Sequence, residues 1–178
     1  MNATDMKCEI LETLKQSGIK LGDIVLDFGC GPGDYTIPAA VIVGNTGIVY
    51  ALDTDKRKLE EVRKKAKDRR LHNIVELDAK KNSRIGIASE SVNAVLLFDV
   101  LHGYYFPSAE SRREVLYDIH RVLKPGALLL VHPTHIDQAK IVSEIQSVNF
   151  QFHEKYSGNL IHDGNCRRSS IFAFTRES

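Results

Sequence analysis

The chain alternates between short runs of apolar, often β-branched residues and longer stretches with helical periodicity. The predicted strands cover residues 24–28, 48–52, 73–77, 92–98 and 128–131. The predicted helices between them cover residues 4–17, 34–43, 56–69 and 108–123. Several of the strand runs are apolar at almost every position, which is typical of a parallel sheet covered on both faces. The alternation therefore predicts an α/β fold with right-handed crossovers and helices on both faces of the sheet.

The pattern changes after residue 131. A predicted helix over 137–148 is followed by two predicted strands, 150–156 and 170–175, with a polar loop over 157–168 between them. Because no helix separates these strands, we expect them to pair antiparallel and to close the sheet. No repeat or shift in composition marks a second domain. We therefore expect one domain, with an N-terminal helical part (1–20), a core (21–132) and a C-terminal part (133–178).

Composition and charge argue against several classes of protein. The 178 residues are 43% hydrophobic and carry 24 Lys or Arg against 23 Asp or Glu, for a formal charge of +1. Nucleic-acid and membrane-surface proteins favour a strongly basic face, so neither partner is expected. The apolar runs are far shorter than the ~20 residues that span a bilayer, and residues 1–10 lack a signal-peptide hydrophobic region. Three cysteines without a CxxC pair indicate neither a disulfide framework nor a zinc finger. We therefore expect a protein of a reducing compartment, which is the cytoplasm.

The most informative segment is 25–33, where a buried strand runs into three alternate glycines, Gly29, Gly31 and Gly33. Glycine lets the backbone turn sharply and approach a ligand, and the following helix, with Asp34 near its cap, offers free N–H groups. Such a turn can bind a dinucleotide, but that pattern requires Gly or Ala at position 34. Asp27 and Asp34 would also repel a pyrophosphate and attract a cation. The turn therefore favours a cationic ligand that contains a nucleoside.

Further carboxylates end the next two predicted strands. Asp53 lies twenty positions after Gly33 (53 minus 33) and can accept hydrogen bonds from both hydroxyls of a ribose. Asp78 lies at the next strand end, where a carboxylate can accept from an adenine amino group. A solvated strand end or a helix cap is the simpler alternative for each acid, and we prefer capping for Asp55, which precedes a predicted helix.

Residues 25–33 resemble the first motif of class I S-adenosylmethionine-dependent methyltransferases. The resemblance continues through 49–53, 77–79, 94–102 and 121–127, and covers roughly residues 20–132. It is strongest to the branch that contains quinone-biosynthesis C-methyltransferases and many small-molecule enzymes. It implies a Rossmann-like, doubly wound, seven-stranded sheet that is mostly parallel, with an antiparallel C-terminal strand. It also implies S-adenosylmethionine as the cofactor of the core.

The resemblance carries cofactor-binding roles over by position. The implied cofactor-binding residues are Asp27, Gly29, Cys30, Gly31, Gly33, Asp53, Thr54, Asp78, Ala79 and Phe98. Those of the first motif and Phe98 would contact the methionine end, and the remaining four would contact the adenosine. Lys80 and Lys81 depart from the family, which more often has apolar or acidic residues there. This departure affects only the rim of the adenine pocket.

In this family the methyl acceptor lies over the ends of the fourth and fifth strands, which correspond to 98–106 and 132–135. The first segment lacks the Asn/Asp-Pro-Pro-aromatic signature of enzymes that methylate exocyclic amines of bases. His102 is the candidate catalytic base, because imidazole titrates near neutrality, although capping or packing of the turn accounts for it slightly better. Tyr104 and Tyr105 could line a site for an apolar or aromatic acceptor, or could equally pack under a short helix.

His132 and His135 are the remaining candidates for the acceptor side, where together they could bind a metal or a substrate anion. Two histidines alone do not make a metal site, so we expect no metal and favour a polar loop. Arg167 and Arg168 could contact an anionic substrate, but an exposed basic pair is usually a solvated turn.

The sequence thus predicts an S-adenosylmethionine-dependent methyltransferase with a small-molecule acceptor. Methyl transfer is a displacement at carbon, so alignment of the reacting atoms supplies much of the catalysis. The alternative is a non-catalytic cofactor-binding module that acts with a partner chain, and a dinucleotide oxidoreductase is disfavoured by Asp27 and Asp34. Only about twenty residues precede the first predicted strand. We therefore expect either a small acceptor or a second copy or partner subunit that completes its pocket.

Overall fold

The computed structural model describes residues 3–79 and 84–177, with side chains from residue 9 onward. The strands are β1 (Ile24–Phe28), β2 (Ile48–Asp53), β3 (Ile74–Asp78), β4 (Val92–Phe98), β5 (Leu123–His132), β6 (Phe150–His162) and β7 (Asn165–Arg176). The helices are α1 (Ala3–Gln16), α2 (Thr36–Val43), α3 (Lys56–Asp68), α4 (Ala109–Val122) and α5 (Gln138–Gln146). Within these described ranges, no helix has the length and apolar composition that a membrane crossing requires.

The strands form one sheet in the order β3-β2-β1-β4-β5-β7-β6. Strands β1 to β5 pair parallel with one another, whereas β7 runs antiparallel to both β5 and β6. This arrangement confirms the predicted doubly wound sheet with an antiparallel C-terminal strand. Because β1 has β2 on one side and β4 on the other, the chain reverses its direction of winding at the centre of the sheet.

Two apolar layers cover the sheet. Leu26 and Val95 of the central strands pack with α4 and α5 on one face, and Val25 and Ala94 pack with α1 and α2 on the other. All four of these side chains are buried. The near-continuous apolar composition of β1 and β4 is therefore explained by burial on both faces.

The hairpin of β6 and β7 is longer than the sequence analysis predicts. The two strands pair continuously until His162 lies opposite Asn165, so the predicted polar loop over 157–168 is wrong. The turn consists only of Asp163 and Gly164, whose φ angles of 50° and 71° are those of a two-residue type I′ turn. An Asp-Gly pair is a strong signal for such a turn, and it was present in the sequence.

The hairpin tip, residues 157–169, extends beyond the carboxyl end of β5, because β5 pairs with β7 no further than Val131. The phenol of Tyr35 holds this tip in place. Its hydroxyl donates to the carbonyl oxygen of Ile161 at 3.0 Å and accepts from the N–H of the same residue at 2.7 Å. The tip is therefore fixed over the edge at which the parallel strands end.

Two boundaries also differ from the prediction. Helix α2 begins at Thr36, and its N-cap is the residue after Asp34, so Asp34 does not cap it. Strand β5 begins at Leu123, directly after α4, so residues 124–126 belong to the strand rather than to a separate turn. The pairing of β4 with β5 shifts register at this point, where the positive φ of Gly126 (73°) lets the strand take up the extra residues.

A substitution at Gly158 tests the docking of α1 against the hairpin tip. A Cβ at this position would come within 2.4 Å of the side chain of Thr13, so Gly158→Ala forces two packed elements apart. We expect Gly158→Ala to lower the free energy of unfolding by about 1–3 kcal/mol in urea titrations. Gly103→Ala is the matched control, since no described atom lies within 4 Å of its Cβ position. Equal stability of the two variants would contradict this packing.

Candidate functional site

The residues predicted to bind a cofactor lie in a row along the carboxyl edge of the sheet. Asp53 of β2 pairs with Asp78 of β3, and the glycine turn follows β1 beside them. Phe98 ends β4 on the other side of β1, where it pairs with His132 of β5. Open α/β sheets bind ligands at the position where the winding reverses, which is here between β1 and β4. Residues far apart in sequence thus converge at one edge.

The three glycines of the turn all have positive φ (74°, 51° and 87°), but the space around their Cβ positions differs. A Cβ on Gly29 would lie 2.7 Å from the side chain of Val100, and one on Gly33 would lie 3.0 Å from that of Val62. At Gly31 no described atom lies within 4 Å of the Cβ position. Gly29 and Gly33 therefore serve the packing of the chain itself, and Gly31 is the glycine that faces open space.

The amide groups of this turn bond to β2. The N–H groups of Gly29 and Cys30 donate to the carbonyl oxygen of Leu52 at 2.8 and 3.0 Å. The N–H of Gly31 donates to the Asp53 carboxylate at 2.9 Å. These bonds fix the turn against the next strand. The carbonyl groups of Cys30, Pro32 and Gly33 also accept hydrogen bonds from within the chain, so the open side of Gly31 is what the turn offers to a ligand.

Asp27 carries a buried carboxyl group near the carboxyl end of β1, with 2% of its surface exposed. The hydroxyl of Thr36 donates to it at 2.6 Å. Burial raises the pKa of Asp27 to about 7, and the charges of Asp53 and Asp34 add to this shift, against the hydrogen bond from Thr36. Near neutral pH the carboxyl is therefore only partly ionised, and a cation bound beside it would favour its charged form.

Both carboxylate oxygen atoms of Asp53, at the end of β2, accept hydrogen bonds from backbone N–H groups. One accepts from the N–H of Gly31 and the other from the N–H of Asp55, each at 2.9 Å. A carboxylate has about four lone-pair sites, so both oxygen atoms can still accept from hydroxyl groups of a ligand. Asp55 itself accepts from the N–H of Arg57 at 2.9 Å, which confirms the predicted cap of α3.

Two of the acids discussed for the cofactor are paired with lysines. Asp34 lies 3.4 Å from Nζ of Lys65, and Asp78 lies 3.2 Å from Nζ of Lys56. The lysines offset these charges, so the charge argument made from the sequence was too strong. The remaining negative charge at the glycine turn comes from Asp53 and from the ionised fraction of Asp27.

The other adenosine-side residues lie next to these acids. The N–H of Ala79 donates to the carbonyl oxygen of Asp53 at 3.0 Å, which continues the pairing of β2 with β3. Thr54 is exposed directly after β2. Lys80 and Lys81 lie outside the described residues.

Phe98 and Cys30, for which the resemblance implies contact with the methionine end, are buried, 5% and 4% exposed. The ring of Phe98 meets that of Tyr35 edge to face, with centroids 4.7 Å apart. Burial raises the pKa of the Cys30 thiol far above its usual range, so this thiol is neutral and unsuited to act as a nucleophile. Both residues shape the floor of the site.

His102 lies at the end of the turn that follows β4. Its Nδ1 accepts from the N–H of Tyr104 at 3.3 Å, and its Nε2 lies 3.9 Å from the carboxylate of Asp99. This geometry supports the capping alternative, and the base role stays a prediction. Tyr104 and Tyr105 are 85% and 59% exposed, so neither packs under a helix. Partial burial, with the charges of Asp53 and Asp99, raises the pKa of Tyr105, whose phenol lies between the cofactor and acceptor sides.

His132 and His135 occupy different environments, so they do not face one ligand. His132 is 4% exposed, its Nε2 lies 2.9 Å from the hydroxyl of Ser169, and its Nδ1 has no partner among the described residues. Burial lowers the pKa of His132 to about 4, which keeps this imidazole neutral. His135 is exposed in the loop after β5, and its ring lies 4.8 Å from that of His162.

Asp99 and His162 are site residues that the sequence analysis did not single out. Nδ1 of His162 lies 2.7 Å from the Asp99 carboxylate, to which the hydroxyl of Thr134 also donates. Although burial acts to raise it, the hydrogen bonds from Thr134 and His162 lower the pKa of Asp99 below its usual range. The Asp-Gly turn was the signal that could have placed His162 here.

A pocket of about 170 Å³ lies between the end of β5 and the hairpin tip. Its lining is mostly polar and basic, and consists of His132, Pro133, Thr134, Leu160, His162, Arg167, Arg168 and Ser169. The basic pair that the sequence analysis assigned to a solvated turn therefore borders this pocket.

A family model described as a methyltransferase domain matches residues 26–131, which run from β1 to β5. The chain belongs to the methyltransferase domain family. The matched residues include the glycine turn and the strand-end acids, and the family resemblance seen in the sequence is confirmed.

Two curated methyltransferases are similar in sequence. The ubiquinone/menaquinone biosynthesis C-methyltransferase of Blochmanniella pennsylvanica is 30% identical over 142 residues, 79% of this chain and 53% of that protein. The demethylmenaquinone methyltransferase of Oceanobacillus iheyensis is 29% identical over 149 residues, 79% of this chain and 56% of that protein. The chain thus spans about half the length of these relatives. The fold is shared by the crystal structure of an S-adenosylmethionine-dependent methyltransferase from Aquifex aeolicus. The TM-score is 0.74 at 19% sequence identity, and the match covers 98% of this chain and 93% of that one.

The buried carboxyl of Asp27 predicts a pH-dependent stability. The pKa of Asp27 is higher in the folded than in the unfolded chain, so folding takes up a proton between these two pKa values. The stability that this proton contributes is fully present below about pH 4 and is lost as the pH rises to about 7. Relative to Asp27→Asn, the wild-type free energy of unfolding should fall by on the order of 1 kcal/mol per pH unit across this window. Urea titrations at several pH values measure this difference. Asp68→Asn, which replaces an exposed carboxylate at the end of α3, should keep the wild-type slope.

Proposed function

We propose that this chain is an S-adenosylmethionine-dependent methyltransferase that methylates a small-molecule acceptor in the cytoplasm. The observation that carries the proposal is the open side of Gly31 beside the Asp53 carboxylate, at the winding reversal of a methyltransferase-family sheet. No described atom lies within 4 Å of the Cβ position of Gly31, which leaves room there for a ligand. The described cysteines, Cys30 and Cys166, are free thiols, which supports a reducing compartment.

The residues present fit this cofactor. Asp53 would accept from the ribose hydroxyls, and Asp78 from the adenine amino group in competition with Lys56. Ala79 and Thr54 would contact the adenosine. Asp27 and the turn from Gly29 to Gly33 would hold the methionine end above the buried ring of Phe98. Because the cofactor carries positive charge, its binding would favour the ionised form of Asp27.

S-adenosylmethionine supplies, when bound, a methyl group on a positively charged sulfur. The task of the chain is to align an acceptor atom with that methyl group and to keep water away from it. Tyr105 lies between the two sides of the site, and the hairpin tip covers the acceptor side. His102, close to Asp99, is the residue that would take a proton from an acceptor that must lose one.

The acceptor side supports a small polar or anionic substrate. The pocket of about 170 Å³ is bordered by His132, His162, Arg167 and Arg168, and its two guanidinium groups can bind an anion. The curated relatives are named for quinone substrates, which are large and apolar, and this chain spans only about half of them. We therefore propose a compact acceptor rather than a lipid quinone.

The direct test is methyl transfer from isotope-labelled S-adenosylmethionine to a small-molecule extract. Label in a low-mass product, together with formation of S-adenosylhomocysteine, is the expected result. Demethylmenaquinone assayed in parallel tests the quinone alternative. Saturable cofactor binding without turnover on any extract would contradict catalysis and would favour the non-catalytic module.

Asp53→Asn tests the ribose contact. Loss of the charge-assisted hydrogen bonds should weaken binding of S-adenosylmethionine and S-adenosylhomocysteine at least tenfold in calorimetric titrations, since each such bond is worth ~1.5–3 kcal/mol. Asn keeps an acceptor for only one of the N–H groups of Gly31 and Asp55, so circular dichroism is measured beside the titration to check that the fold persists. Glu76→Gln is the control, because that carboxylate pairs with Arg63 at 2.6 Å on α3. An unchanged dissociation constant for Asp53→Asn would remove Asp53 from the site.

A further inference from the structure

A cluster of metal-ligating side chains gathers around Asp99 on the acceptor side. Asp99 follows β4, His135 follows β5, and His162 ends β6, so three separate segments contribute. One potential ligand atom from each of the three lies within 4.8 Å of the other two. His102 is a fourth member, with its Nε2 3.9 Å from Asp99 and its ring 5.7 Å from that of His135.

A hydrogen-bonded latch is the simpler explanation for part of this cluster. The contact of 2.7 Å between His162 and Asp99 ties the hairpin tip to the sheet, and it needs only these two residues. It does not explain why His135, an exposed residue, directs its ring towards His162, or why His102 approaches the same carboxylate from the other side. Three imidazoles around one carboxylate exceed what a latch requires.

The donor set matches that of a divalent transition metal. Two imidazole nitrogens and one carboxylate oxygen suit Zn²⁺ and its neighbours Fe²⁺, Co²⁺ and Ni²⁺. Such ions hold these atoms at about 2.0–2.2 Å, which places neighbouring ligand atoms roughly 3 Å apart. The exposed side chain of His135 can rotate to close the present gap.

The surroundings of the cluster also resemble those of a metal site. The hydroxyl of Thr134 donates to the Asp99 carboxylate, as residues that orient metal ligands do. Asp99 and His135 both have left-handed backbone conformations, with φ of 59° and 54°. The loops after β4 and β5 are thus bent so that both side chains point to one place.

We propose that Asp99, His135 and His162 bind one divalent transition-metal ion, with His102 available as a fourth ligand. This inference replaces the expectation of no metal, which rested on His132 and His135 alone. His132 is not part of the site, because its imidazole is buried against Ser169. If the proposed function holds, an ion with three protein ligands keeps open positions for an oxygen or nitrogen atom of the acceptor.

The test is titration of the untagged, chelator-treated protein with ZnCl₂ by calorimetry and with CoCl₂ by visible absorption. We expect one ion per chain at micromolar concentration, and Co²⁺ bands typical of nitrogen and oxygen ligands. His135→Ala should weaken binding at least tenfold, and His162→Ala should do the same. His153→Ala is the control, since this exposed histidine of β6 lies outside the cluster.

His135→Ala keeps the test valid if His162→Ala disturbs the hairpin tip, because His135 is exposed and forms no part of the latch. No binding at 100-fold the protein concentration would overturn the proposal and leave only the latch. Binding that His135→Ala does not change, or that His153→Ala weakens equally, would also overturn it. Titration of the same variants with S-adenosylmethionine separates the two proposals: cofactor binding without metal binding contradicts only the metal site, and the reverse contradicts only the methyltransferase function.

Discussion

The parallel pairing of β1 with both β2 and β4 is the constraint on which the site depends. It aligns the ends of three strands and leaves a gap where the chain winds away in both directions. Strands at the centre of the sheet are largely apolar on both faces, and Asp27 is a buried acid in one of them. Burial at this position raises the pKa of Asp27 to about 7. A buried ionisable group with a shifted pKa is typical of a functional site.

An element is predicted well from the sequence where its own residues carry a clear hydrophobic pattern. Strands β1 and β4 were predicted with the bounds that the structure shows, because unbroken apolar runs reflect burial on both faces. The tip of β6 and β7 was missed because it extends beyond the sheet and consists mostly of exposed or half-buried polar residues. The periodicity of hydrophobic residues therefore fails there, and only the Asp163-Gly164 turn reports the hairpin.

The proposed cofactor and acceptor sides of the site also differ in how far the sequence predicts them. Gly31 and Asp53 belong to short motifs whose spacing identifies them, and the structure places them in contact. The lysines that offset Asp34 and Asp78 come from a helix whose charged face gives no sign of its partners in sequence. The acceptor side depends still more on tertiary structure, since Asp99 and His162 meet only because the hairpin tip reaches over β5.

Tyr35 joins these two sides. It follows the glycine turn, its ring packs against Phe98, and its hydroxyl makes both hydrogen bonds to Ile161 of the hairpin tip. One side chain therefore ties the segment after the glycine turn to both β4 and the hairpin tip. In a fold that serves many reactions, function is decided by such local features, and in this chain the hairpin tip is a feature that lies beyond the parallel part of the sheet.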